Sequence, residues 1–282
     1  MSGHPRVRIV PATGVALADL QALVEACFAG RPRPAGWFAR KLVREAVDRD
    51  RSLLAFGPGD ELVGYTLTGA EPDETVGHSA GLGVLPAWRG QGIGAALMFA
   101  LGPMLRRTGL RILRVNAEPP RRRFYQRVGF MPLVERHTLW AMGTGAADLD
   151  LRAHPRGAWS LPGLAVAGWR AGTWMRTPET DAGTLQLADG DVWAHVSREG
   201  RALLIQRLSV IDERRIHAAL DELRARCAGD TAVLLHGCEA VSCVTVSLLR
   251  AKWRVAQTAC EMQRDLDDPA FDAVDKQASP AA

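Results

Sequence analysis

The run Val84-Leu85-Pro86-Ala87-Trp88-Arg89-Gly90-Gln91-Gly92-Ile93-Gly94 constrains this chain more than any other stretch. Small and apolar residues before it read as a strand over 76–84, and the apolar period after it predicts a helix over 93–107. A strand feeding a glycine-rich turn that opens a helix aims backbone N–H groups and the positive helix end at one point, which suits a pyrophosphate. Gly90, Gly92 and Gly94 let the backbone approach phosphate, and Arg89 places charge at the rim. Glycines at alternate positions also occur in plain strand–helix turns, so on the loop alone that alternative stays open. A dinucleotide-binding loop would space its glycines by two and three and carry an acidic residue about twenty positions on. A Walker loop would need Gly-Lys-Ser/Thr. Neither pattern is present: the spacing is two and two, the downstream region is rich in arginine, and no lysine is near.

The 282 residues allow one large domain or two ordinary ones, and 47% apolar with 23% charged residues is enough to bury a real core. A net charge of +4 suits a polyanionic small ligand and is too mild to argue for nucleic acid. Five cysteines, an odd number without zinc-type spacing, read as free thiols in a reducing compartment, with no metal site. The N-terminus lacks a signal-peptide pattern, and no run approaches the roughly 18 apolar residues of a membrane span. A cytoplasmic chain with neither nucleic-acid nor membrane partner is expected, as monomer or homodimer.

Along the first half, 6–10 reads as a strand, 15–29 and 37–47 as helices, and 52–56 with 62–67 as a hairpin across Gly57-Pro58-Gly59-Asp60. After the 93–107 helix come a strand at 111–116, a helix at 121–128 and a last strand to about 142. The order β-α-α-β-β-β-α-β-α-β predicts an α/β fold, a mixed sheet flanked by helices.

The loop and the residues downstream of it resemble the GCN5-related N-acetyltransferase (GNAT) family. Its Val-x-Pro-x-x-Arg-Gly-x-Gly-Ile-Gly hallmark is matched without a gap from Val84 to Gly94. Its Tyr-x-x-x-Gly-Phe segment is matched by Tyr125-Gln126-Arg127-Val128-Gly129-Phe130. The resemblance covers roughly residues 5–143. It implies acetyl-CoA as co-substrate, with its pyrophosphate on Arg89, Gly90, Gln91, Gly92, Ile93, Gly94 and Ala95. The pantetheine arm would lie where strand 78–84 splays from strand 111–116, touching Leu82, Val84 and Asn116. A backbone N–H near Leu85 would polarise the acyl carbonyl. A small-molecule or peptide amine would attack the thioester directly.

By the same resemblance Tyr125 stands where the family places its acid, and a phenol is a sensible donor to a thiolate. The alternative is that Tyr125 only packs against CoA. For the base, some members carry a glutamate six residues before the position of Val84. His78 stands there, on the same strand face by even spacing, with a polar strand-end residue as the alternative. Glu71 and Glu74 are weaker candidates. Glu118, where the family often has an asparagine, is a further candidate base and a substrate contact, and the departure puts the local CoA contacts in question. Trp37 and Phe38 lie in the segment that usually covers the acceptor, with core packing as the alternative. Arg121-Arg122-Arg123, at a helix start, points to a bound anion or to a solvated face.

Residues 143–150 are small and polar and read as a linker, giving domains at 1–143 and 157–268, a linker over 144–156 and a tail over 269–282. From 184 the order hairpin, strand, helix, strand, helix, strand looks like the family fold again. Leu249 stands in the tyrosine's place, and no Arg-Gly-x-Gly-x-Gly occurs between Ser209 and Asp212. The expectation is a degenerate copy without CoA. Six of eight tryptophans lie beyond residue 139 (Trp140, Trp159, Trp169, Trp174, Trp193 and Trp253), as packing or as an acceptor-pocket wall. A non-catalytic acyl-CoA sensor on the same fold is the competing function.

Overall fold

The computed structural model describes residues 7–29, 33, 35–70, 75–158, 164–168 and 175–268. Its strands are β1 (Arg8–Pro11), β2 (Val47–Phe56), β3 (Leu62–Gly69), β4 (Val76–Val84), β5 (Ile112–Ala117), β6 (Met131–Met142), β7 (Leu164–Gly168), β8 (Ala182–Leu187), β9 (Val192–Glu199), β10 (Ala202–Val210), β11 (Ala232–Glu239) and β12 (Arg254–Asp265). Its helices are α1 (Leu17–Cys27), α2 (Trp37–Arg44), α3 (Ile93–Arg107), α4 (Arg122–Arg127), α5 (Ile216–Ala225) and α6 (Cys243–Arg250). The α3 bounds coincide with the 93–107 reading because its apolar period is closed by Gly92 before it and Thr108-Gly109 after it.

α2 is shorter than its pattern suggests. Ala46 takes φ +45 and its N–H turns back to the Val43 carbonyl, so Val47 opens β2 instead of ending a helix. Nothing in an alanine announces a left-handed turn, which costs it about 1 kcal/mol.

Two compact units result: Met1–Leu133 with Cys260–Ala282, and Val134–Ala259. These are different residue sets from the two domains expected from composition. The sheet of the first unit runs β1-β2-β3-β4-β5 and is completed by Cys260–Asp265 of β12, antiparallel to β5. α1 and α2 bury Leu20, Leu23, Val24, Trp37 and Phe38 against one face. α3 and α4 bury Ile93, Leu97, Met98, Leu101, Leu105 and Tyr125 against the other.

In the second unit the strand order is β12-β6-β11-β10-β9-β8, with β7 paired to β10 off this path. The stretch read as a linker is bound in place there. Gly143, Thr144 and Gly145 donate N–H bonds to the carbonyls of Thr231, Arg224 and Cys227. A Cβ on Gly143 or Gly145 would come within 2.2 Å of a backbone oxygen, so small residues there reflect close backbone approach, and looseness is not their cause. β7 has no counterpart among the elements expected from sequence. Glu71, Glu74, Trp159, Trp169, Trp174 and the 269–282 tail lie outside the described residues.

Candidate active site

β4 and β5 are parallel neighbours at only three registers, Val76↔Ile112, Gly77↔Leu113 and His78↔Arg114. Beyond His78 the two strands no longer pair, and an opening between them runs toward the glycine loop. On its other side β4 follows β3 through Gly64↔Val84, Tyr65↔Gly83, Thr66↔Leu82 and Leu67↔Gly81, then shifts register so that Ala80 bulges. Leu85 donates its N–H to the Val63 carbonyl at 2.9 Å. Antiparallel bonding alternates, so the N–H groups of Gly83 and Gly81 also face β3 while those of Leu82 and Val84 face the opening. The N–H of Leu85 is therefore already used, and Leu82 and Val84 offer the free donors.

A short 3-10 turn, Pro86–Trp88, carries the chain from β4 into the glycine loop. Gly90 and Gly92 adopt φ +78 and +82, and a Cβ on either would meet nothing within 4 Å. Only glycine holds this conformation without strain, and the space it leaves is open. α3 then starts with Gly92 as N-cap and no side-chain cap. Among the described residues, the N–H groups of Gly90, Gln91, Gly92, Ile93, Gly94 and Ala95 donate to no protein acceptor; Ala96 is the first to turn inward, to the Gly92 carbonyl. Six consecutive unsatisfied donors at the positive end of a fifteen-residue helix form an anion cradle.

Arg89 is placed differently from the rim position expected for it. Its Nε donates to the Val84 carbonyl at 3.1 Å and its Nη2 to the Cys27 carbonyl at 2.7 Å. It ties the end of β4 to the C-terminus of α1, where a cation complements the helix dipole. Gln91 braces the loop by donating to the Ala87 carbonyl at 3.2 Å.

Tyr125 is buried, edge-on to Phe124 at 5.1 Å and to Phe130 at 5.4 Å. Burial, reinforced by Glu118 and opposed by Arg121, pushes its phenol up to about 12. Asn116 lies on β5 beyond the last β4 pairing, with its other backbone edge against Glu261 of β12. Glu118 is half-buried at the turn into α4, where its carbonyl accepts from Arg121 N–H.

His78 sits at the apex of the opening, 7% exposed, with Nε2 2.9 Å from the Glu45 carbonyl. A carbonyl can only accept, so Nε2 carries the proton and is committed to holding the α2–β2 turn. Phe38 is fully buried, and Trp37, mostly buried, donates Nε1 to Glu25 at 3.4 Å. Both pack under α1 and α2, the bland alternative for this pair. Among the described residues no three metal-ligating side chains come together. No helix of the described residues is long and apolar enough to cross a membrane.

The mixed sheet thus splits between two parallel strands beside an uncapped, glycine-led helix. Residues 40–132, within the first unit, match the family model described as acetyltransferase (GNAT) domain. Solved structures extend the likeness in fold to nearly the whole chain. A putative acetyltransferase from Pyrococcus horikoshii is 16% identical with TM-score 0.63, covering 94% of this chain and 90% of its own. A GCN5-related N-acetyltransferase from Sphaerobacter thermophilus is 15% identical with TM-score 0.61, covering 94% and 97%. A tandem GNAT protein from the clavulanic acid biosynthesis pathway is 14% identical with TM-score 0.57, covering 93% and 99%. No curated protein matches the sequence.

Proposed function

We propose that the first unit binds acetyl-CoA and transfers its acetyl group to a primary amine within a ternary complex, with one donor site per chain. The observation that carries this reading is the row of six unsatisfied N–H groups from Gly90 to Ala95 around open space. A pyrophosphate fits such a cradle because each of its oxygens can take a backbone donor without a side chain filling the site. Leu82 and Val84 would meet the pantetheine arm through their backbone edges, with Asn116 on the facing strand. Leu82 N–H is the donor we assign to the acyl carbonyl, replacing Leu85.

Transfer forms one C–N bond and breaks one C–S bond. The amine releases a proton, and Tyr125 gives its own to the departing thiolate and is reprotonated from solvent. With Nε2 of His78 engaged by Glu45, we assign His78 a positioning role and leave the amine proton to water.

The second unit lacks a comparable cradle among its described residues. β10 and β11 run parallel from Ala202↔Ala232 to Ile205↔Leu235, and beyond that point β10 pairs with β7 instead of standing open. The helical turn after β10 is capped by Asp212, whose carboxylate accepts from Arg214 N–H. A carboxylate already occupies that helix start, where it repels phosphate.

The test is thermal unfolding with and without acetyl-CoA, followed by CoA release over a panel of primary amines. Acetyl-CoA should raise the midpoint, and at least one amine should release CoA. Protection without release by any amine would support a non-catalytic acyl-CoA sensor instead.

A further inference from the structure

Tyr65 lies on β3 opposite Gly83, in the apolar cluster covered by α1 and α2. Tyr125 belongs to the cluster covered by α3 and α4, on the other face of the same sheet. The chain holds two tyrosines, and the fold brings one to each face of the β4 opening.

Three observations set Tyr65 apart from core filling. Its ring lies along β4, and a Cβ on Gly83 would sit 2.5 Å from Cε1, so that glycine is what makes room for it. Its hydroxyl lies 3.6 Å from where a Cβ on Gly81 would be, beside the Ala80 bulge. Although only 2% of the residue is exposed, its hydroxyl has no hydrogen-bond partner among the described residues. A phenylalanine would fill the same space without a hydroxyl that makes no hydrogen bond within the protein. An unpaired hydroxyl at the mouth of a reaction cleft is better explained by a partner that arrives with substrate.

We propose that the Tyr65 hydroxyl receives the acceptor: its oxygen takes an N–H of the incoming primary amine and aims the nitrogen lone pair at the thioester carbon. The inference rests on the acetyl-transfer reading above. Nucleophile and leaving group then meet phenols on opposite faces of the sheet, Tyr65 for the amine and Tyr125 for the sulfur. Burial, helped by Cys27 and Tyr125, pushes the Tyr65 phenol upward, so it stays protonated at working pH. It therefore orients the amine as a neutral dipole and ends the reaction with its own proton, while the amine proton leaves to water.

The experiment compares wild type with Tyr65→Phe, using benzylamine, phenethylamine, spermidine and a tripeptide with a free N-terminus as acceptors. With the best wild-type acceptor, Tyr65→Phe should lose roughly three- to tenfold in kcat/KM for the amine, mainly through KM. KM for acetyl-CoA and the unfolding midpoint should not change, a split that a packing role would not produce. Tyrosine labelled with 13C at Cζ gives two resonances, and adding the amine to CoA-loaded protein should move that of Tyr65. An unchanged amine kcat/KM, or a Tyr65 resonance indifferent to a turned-over amine, overturns the assignment while leaving acetyl transfer intact. If wild type turns over none of the four amines, the transfer reading fails and this inference fails with it.

Discussion

At the residue scale, the site depends on two kinds of residue: glycines that leave room and phenols kept neutral by burial. Gly92 holds φ +82 at the N-cap of α3 with open space beside it. Gly92→Val places a β-branched side chain in that space and strains the backbone by about 1–2 kcal/mol. Isothermal titration should show at least a tenfold loss of acetyl-CoA affinity, with only a small drop in the unfolding midpoint. Tyr125→Phe keeps the ring between Phe124 and Phe130 and removes only the proton donor. A positioned acid contributes about 10²–10⁴ in rate, so kcat should fall at least tenfold while the acetyl-CoA Kd stays within about twofold. With its phenol at about 12, Tyr125 holds its proton across the neutral range, and its loss should not limit kcat below about pH 10. Equal kcat for Tyr125→Phe and wild type would remove the acid role.

At the scale of elements, the chain's last strand decides whether the first unit exists at all. Cys260, Met262, Arg264 and Leu266 are buried on or just after β12 in the core of the first unit. Arg264 is 3% exposed, and its Nη1 donates to the Met98 carbonyl of α3 at 3.1 Å. Gly102 leaves room for its guanidinium, and Pro103, which has no N–H to give, frees one α3 carbonyl nearby. A chain ending at Ala259 would lose these contacts, at about 2–5 kcal/mol for each large apolar side chain, and would bare the β5 edge. It should no longer show cooperative unfolding of the first unit or protection by acetyl-CoA. A truncated chain that still binds acetyl-CoA would show that β12 is dispensable. The exchange was not legible in sequence. Apolar period marks 253–262 as extended, but which strand it joins depends on contacts nearly 150 residues away, Met262 pairing with Val115.

At the scale of the whole molecule, titration with acetyl-CoA should saturate at one per chain, since β7 and Asp212 take up the corresponding features of the second unit; two sites would contradict this. Stability should be greatest over a defined pH window. Burial lowers His236 to about 4, so the unfolded chain binds the extra proton once pH falls below the ordinary 6.5. That loss develops between pH 6.5 and 4 and is worth on the order of 3 kcal/mol. On the alkaline side, burial raises Cys27 and Cys227 to about 11 and Cys238 to about 12. The unfolded chain releases those protons first, so stability declines above the ordinary thiol value of 9.0. Melting midpoints from pH 4 to 11 should form a plateau between these limits, and a midpoint that does not fall as pH drops from 6.5 to 5, or that still rises with pH at pH 10, would contradict these assignments.

The glycine loop, the α3 span, the hairpin and the Tyr125–Phe130 segment were all readable from residues alone, because each depends on neighbours in sequence. Glycines at fixed offsets set positive φ, and apolar period sets helix or strand. What only the tertiary structure decided is where non-local partners meet. Arg89 bonds the Cys27 carbonyl, and Val63 already holds the Leu85 N–H, which leaves Leu82 as the donor we propose for the acyl carbonyl. His78 was bound at Nε2 by a carbonyl that no side-chain pattern encodes. Tyr65 carried no motif, and only the packing of Gly81 and Gly83 against its ring sets it beside the strand that feeds the glycine loop.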